Sequence, residues 1–249
     1  MVMGEADVSV VRIAVARLAV VTVSLPLGAF LLCIYLSLRY NFDLSTATHC
    51  GVPNYLPSIS SSIGEFVPQR YIWRIAIAVH SAPRFLLASM YHSFMNRVLP
   101  VDPFYKKAVR FTTLLNVVEI IALLCLSFVS SKENYDMHKF SFIVFMLCSE
   151  LYMLITYLLL KDNRPRLTSP LERCALTKKR QLMMANLTSF IVALYFFYRH
   201  NKYCEPGMYS VFAFLEYVVV LTNMGFHMTA YYDFHHHELV VGQWKAPSS

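Results

Sequence analysis

Long apolar runs, rather than the strict alternation of half-buried strands, dominate this chain. Five of them, at 15–38, 111–129, 140–160, 182–198 and 208–232, carry no more than one charged residue apiece. Each approaches the roughly 20 helical residues needed to cross a hydrocarbon core of about 30 Å. A sixth run, 71–92, is interrupted by Arg74, His80, Pro83 and Arg84, yet the flanking IAIAV and FLLASM are too apolar for water. The pattern predicts an all-α polytopic membrane helix bundle with six transmembrane helices, or five if 71–92 lies at the interface. The first run exceeds a signal-peptide core, and no small-x-small cleavage site follows before Arg39, so it is expected to stay as an anchor. Pro26 inside it predicts a kink, with a neighbouring helix satisfying the freed carbonyl.

Composition agrees with the pattern: 57% hydrophobic and only 15% charged residues exclude a disordered chain, a disulfide-dense module and a soluble nucleotide-binding domain. A net charge of +7 admits either nucleic acid or a membrane as partner. The distribution of the 22 Lys and Arg residues decides between them. Fourteen fall on one side of the expected spans: Arg12 and Arg17, Arg97 to Arg110, Lys161 to Arg180, and Lys245 in the tail. Six fall on the other, and Arg74 and Arg84 lie within the second span. The surplus is a topology signal that places both termini in the cytosol, and nucleic-acid binding loses its support. The chain reads as a single transmembrane domain with a long lumenal loop at 39–70 and a basic cytosolic loop at 161–181.

Four of the six cysteines lie in spans or in the basic loop. Cys50 and Cys204 alone fall in lumenal loops, where an oxidising compartment permits a disulfide tying the long loop to the far end of the chain. The sequon at Asn186 sits at the cytosolic end of the fifth span and is expected to be silent.

A charge at mid-membrane costs about 2.5–3.5 kcal/mol on insertion scales, so such residues point to function. In the sixth span Glu216, Asn223 and His227 share a face, seven and four residues apart. In the second, His80 and Arg84 are one turn apart, near Arg74; the third adds Asn116 and Glu119, and the fourth Glu150. Helical rise places Arg84, Glu119, Glu150 and Glu216 near the middle of their spans, so Arg84 can neutralise Glu119 or Glu216. Interhelical hydrogen bonding alone also explains buried polar residues, Asn116 and Glu150 in particular. No nucleophile elbow, zinc-protease helix, P-loop or dinucleotide fingerprint occurs, and the adjacent histidines His235–His237, on a short tail without fixed geometry, read as solvated side chains rather than a metal site. His227, His80, His49 and His200 are the candidates for proton transfer near neutral pH, and spacing does not choose among them.

Several longer stretches resemble the post-GPI-attachment factor 2 family, which also includes damage-regulated autophagy modulators. They are Thr46 to Ser58 (TATHCGVPNYLPS), Pro68 to Arg74, His80 to Phe85, Leu115 to Glu119, Tyr198 to Gly207 and Glu216 to Thr229, within a resemblance covering about 15–234. The basic loop and the tail beyond Phe234 have no counterpart in it. The resemblance implies a multi-pass Golgi membrane protein, with the endoplasmic reticulum as the alternative, that remodels GPI lipids. The implied step restores a saturated acyl chain on a lyso-GPI intermediate, so its partners are GPI-anchored proteins and their lyso-GPI lipid within the membrane. No bound cofactor or metal is expected, and acyl-CoA is a possible acyl donor. On this reading His227, His80 or His49 acts as base, Arg74 or Arg84 pairs with the lipid phosphate, and both arginines with Asn116, Glu119, Glu216, Asn223 and His200 make up the binding site. A non-enzymatic lipid binder or escort, and more distantly a structural membrane regulator, are the alternatives.

Overall fold

Three of the long helices begin where the sequence supplies a side-chain cap. Asp102 accepts a hydrogen bond from the Phe104 N–H and Pro103 follows it, so α5 runs Pro103–Phe128. Asn134 accepts from the Met137 N–H and starts α6, Tyr135–Asp162. Ser169 and Glu172 form a reciprocal capping box around Pro170, which starts α7, Pro170–Tyr203. The basic segment 161–181 is therefore mostly not loop: Lys161 and Asp162 close α6, Arg164–Arg166 form a 3-10 turn, and 170–181 belong to α7, a boundary written in Ser-Pro-Leu-Glu.

The computed structural model describes residues 11–167 and 169–241; Lys245, placed above on the cytosolic side, lies outside the described residues. The chain runs from strand β1 (Val11–Ala14) into α1 (Val15–Tyr40), then through two short helices, α2 (Phe42–Thr46) and α3 (Ile59–Gly64). After α4 (Gln69–Val98), α5, α6 and α7 come α8 (Met208–Met228), α9 (Ala230–Asp233) and strand β2 (Glu238–Val241). Antiparallel pairing of β1 with β2 brings both ends of the described chain to one end of the bundle, here the terminal end. The opposite, cap end carries the 41–68 segment and the α5–α6 and α7–α8 connections.

Five helices are long and apolar enough to cross a membrane: α1, α5, α6, α7, and α8 with its continuation to Asp233. The sixth long helix, α4, is less apolar, but its 30 residues span about 45 Å. It lies antiparallel to α1 along its whole length. At the cap end the Cys33 thiol donates to the Gln69 carbonyl (3.4 Å), halfway along His80 meets the Thr22 carbonyl, and at the terminal end Tyr91 and Phe94 pack around Val15 and Ala19. The expected all-α polytopic bundle is the architecture observed. Its outer faces are apolar, with Val21, Leu31, Ile121, Phe140, Leu147 and Ile191 exposed, whereas polar residues near the middle of the helices, such as Thr22, His80, Arg84, Asn116, Glu119 and Ser149, are buried. That inverted arrangement suits a hydrocarbon solvent. Gly225 lets α8 approach α7 closely, since a Cβ there would meet Leu182 at 3.0 Å.

The 39–70 segment is a folded cap. The Ile59 N–H donates to Glu216 (2.9 Å), the Tyr217 hydroxyl to the Pro57 carbonyl (2.6 Å), and the Tyr55 N–H to the Ser210 hydroxyl (2.7 Å). A disulfide joins Cys50 to Cys204, and the Gly207 N–H donates to the Pro53 carbonyl (3.0 Å). Gly207 starts α8 with φ of 76°, a conformation that favours glycine.

Candidate functional site

Pro26 has no N–H, so the Thr22 carbonyl four residues earlier loses its partner within α1. His80 on α4 supplies the replacement, with Nδ1 at 2.7 Å from that carbonyl. A carbonyl only accepts, so Nδ1 carries the proton and Nε2 of the neutral ring is a free base. His80 also lines a largely apolar cavity of about 200 Å³ enclosed by α1, α4, α5, α6, α7 and α8 beneath the cap. Along α4 the cavity runs from Trp73 to Arg84, about 16 Å by helical rise.

The inner end of the cavity is polar. Arg84 lies 3.5 Å from Glu119 Oε1 and 3.4 Å from Asn116 Oδ1. The same Glu119 oxygen accepts from Asn223 (3.1 Å) and from His227 Nε2 (3.0 Å). Asn223 also donates to Ser149 (2.6 Å), and Tyr152 stacks on the His227 ring with centroids 5.5 Å apart. The side chains of Arg84 and Glu119 are 6% and 1% exposed, so neither charge is hydrated and each depends on the other. Glu119 Oε2 and Arg84 Nε have no protein partner among the described residues, which leaves the pair able to bind a further polar group.

Of the residues singled out in the sequence, the fold brings His80, Arg84, Asn116, Glu119, Asn223 and His227 together. Glu216 lines the same cavity at its outer end, where it accepts the Ile59 N–H, so Arg84 pairs with Glu119 and not with Glu216. Arg74 lies at the cap end, donating to the Ser127 carbonyl and to Glu133 (2.6 Å). The Ser130 N–H, the Ser130 hydroxyl and Arg74 hold the Glu133 carboxyl below the usual carboxylate range. His49 and His200 sit beside the disulfide with ring centroids 5.6 Å apart, away from the cavity lining. His49, Cys50 and Cys204 cluster there, but both sulfurs are bonded to each other and offer no thiolate to a metal. Glu150 stands outside the polar group, with Oε1 unpartnered among the described residues. Asn186 of the sequon is buried between α7 and α8, donating to the Val219 carbonyl (2.7 Å) and to Thr222 (2.8 Å).

A second buried ionic group was not foreseen. Lys179 pairs with Asp233, which also accepts the Tyr91 hydroxyl (2.7 Å), and the side chains of the pair are 1% and 2% exposed. This group ties α4, α7 and α9 together at the terminal end.

The model of the Frag1/DRAM/Sfk1/Cwh43P N-terminal domain matches residues 14–237, which takes in every helix of the bundle. The chain belongs to this family. Among relatives, it is 49% identical to "Acyltransferase PGAP2" of Xenopus tropicalis, over 90% of this chain and 88% of the relative. It is 45% identical to "Post-GPI attachment to proteins factor 2" of Drosophila melanogaster, over 90% and 87%. The protein of that same name from Caenorhabditis elegans is 39% identical, over 87% and 84%. No solved structure matches the chain. The family match agrees with the resemblance drawn from the sequence motifs, and the residues that carried it include His80, Arg84, Asn116, Glu119, Asn223 and His227 of the cavity's polar end.

Proposed function

We propose that this protein transfers an acyl chain to a lyso-GPI lipid during maturation of GPI anchors, with the cavity as its active site. The observation that carries this reading is an apolar tunnel ending on a free imidazole nitrogen, a guanidinium and a buried carboxylate. The tunnel's apolar lining suits an acyl chain. Leu194 and Phe197 line it and are also exposed on the outer face of α7, so the wall between α6 and α7 is one side chain thick and suits lateral entry of a lipid.

The chemistry follows from the contacts. His80 Nε2 takes the proton of the lysolipid hydroxyl, whose oxygen forms a bond to the acyl carbon of a thioester such as acyl-CoA. Arg84 offsets the negative charge that develops on the acyl oxygen. The carbon–sulfur bond breaks, and the departing thiolate takes the proton back from the imidazolium. His227 and Asn223 hold Glu119, and Glu119 holds Arg84; these are positioning roles.

Three observations support the orientation in which the cap faces the Golgi lumen and the termini the cytosol. The basic residues concentrate at the terminal end, both described ends lie there, and the disulfide lies at the other. GPI glycans would then meet the cap while their lipid enters below it. The relatives' names, "Acyltransferase" and "Post-GPI attachment to proteins factor", agree with this role.

The second reading, a lipid binder serving a separate transferase, draws on the same cavity. Purified protein in proteoliposomes given lyso-GPI and labelled palmitoyl-CoA separates the two. Label appearing in the GPI lipid supports transfer; lyso-GPI retained by the protein with no label transferred supports the binder.

A further inference from the structure

At the terminal end, α4 and α5 face each other across a second cleft, of about 350 Å³, built from a different set of residues. His92 and Asn96 are one turn apart on α4, and Lys106 and Arg110 one turn apart on α5. Pro100 and Val101 of the connection complete the lining, which contains no carboxylate. Neither Lys106 nor Arg110 forms an ion pair among the described residues, and Asp102 nearby is engaged as the cap of α5. His92 is held at the cleft wall by α5. The Thr113 hydroxyl donates to the Val109 carbonyl (2.8 Å), so its oxygen accepts from His92 Nδ1 (2.9 Å) and the ring directs Nε2 away from Thr113.

Two cations and an amide around one cleft match the acceptor oxygens of a phosphate. The dipole of α5 adds to this, because Lys106 stands at the end of its first turn, where an anion is favoured and an unpaired ammonium disfavoured. The cleft lies at the depth where lipid phosphates sit if α4 and α5 cross the membrane. Eight residues of α4 separate His92 from Arg84, about 12 Å of rise, so a ligand anchored here could extend toward the inner end of the cavity.

We propose that this cleft binds a phosphate-bearing ligand, with Lys106, Arg110 and Asn96 as its contacts. The phosphate is either that of an anionic membrane lipid or that of a soluble ester such as CoA. The proposal concerns binding alone and stands whether or not the cavity transfers acyl groups.

The full-length protein is placed in phosphatidylcholine nanodiscs, and two ligands are offered separately: phosphatidic acid within the disc, and CoA in solution. Retention is read by native mass spectrometry for the wild type, for Lys106→Gln/Arg110→Gln, and for Lys107→Gln, an exposed neighbour outside the cleft. Thermal unfolding confirms that each variant is folded. The wild type is expected to retain at least one ligand, with retention about tenfold weaker in the double variant and unchanged in Lys107→Gln. Phosphatidic acid retained alone identifies a lipid headgroup as the source, and CoA alone a soluble ester. Retention of neither ligand by the wild type overturns the proposal. So does a double variant that binds as the wild type does, or an equal loss in Lys107→Gln, which would mark diffuse surface charge.

Discussion

Replacing Pro26 with alanine is expected to lower activity without lowering stability. Alanine returns an N–H to α1 at the one position whose absence frees the Thr22 carbonyl for His80. The restored helical bond competes for that oxygen and draws it back toward the α1 axis. A net hydrogen bond of this kind is worth about 0.5–1.5 kcal/mol. Losing it reduces the population of His80 with Nδ1 protonated and Nε2 facing the cavity by roughly two- to tenfold, and turnover falls with it. Stability moves the other way, because a proline inside a helix is about 3 kcal/mol less favourable than alanine. The assay is label transfer from palmitoyl-CoA to lyso-GPI in proteoliposomes, alongside thermal unfolding in detergent. The same substitution in a His80→Ala background should leave the residual rate unchanged, since no imidazole remains to be oriented. A Pro26→Ala protein with a raised midpoint and undiminished transfer would refute the claim that this contact holds the base.

The buried ionic groups should respond as pairs. Arg84→Met leaves Glu119 uncompensated and should destabilise the protein by about 3–5 kcal/mol, whereas Arg84→Met with Glu119→Leu should recover much of that loss; thermal unfolding of the set checks it. Lys179→Met should cost a similar 3–5 kcal/mol and loosen α9, read as faster amide exchange over 230–241, with Asp233→Leu again compensating. Glu216→Leu leaves the Ile59 N–H without its acceptor and should cost about 1–3 kcal/mol, with faster proteolysis confined to the cap, while Glu216→Gln keeps an acceptor oxygen and should change little.

The apolar runs were legible because hydrocarbon length and lack of charge are local properties of a sequence. The fold class followed from them, and α4 has the least apolar membrane-length stretch of the long helices for a physical reason: His80, Ser81 and Arg84 are turned inward, where packing rather than composition accommodates them. The polar end of the cavity was legible for the converse reason, since polar residues inside apolar runs stand out and helical spacing puts them on one face. Which of them meet was not legible. Helical rise placed Glu216 level with Arg84, but the cap descends onto α8 and takes Glu216 as its anchor. The link from Pro26 through Thr22 to His80 joins Thr22 and His80, 58 residues apart on different helices, and no local pattern announces it. Lys179 and Asp233 lie in stretches polar enough to pass for loops, so only the tertiary structure shows them paired and buried. The capping box at Ser169, by contrast, was present in the sequence and would have corrected the extent of the basic loop.

The central claim is that the inner end of the cavity performs chemistry with His80 as its base. The most direct measurement is single-turnover acyl transfer by His80→Ala, set beside the affinity of the same protein for lyso-GPI. A positioned base contributes about 10²–10⁴-fold, so transfer should fall at least a hundredfold while lyso-GPI binding stays within a few-fold of the wild type. Transfer retained at close to the wild-type rate would contradict the assignment.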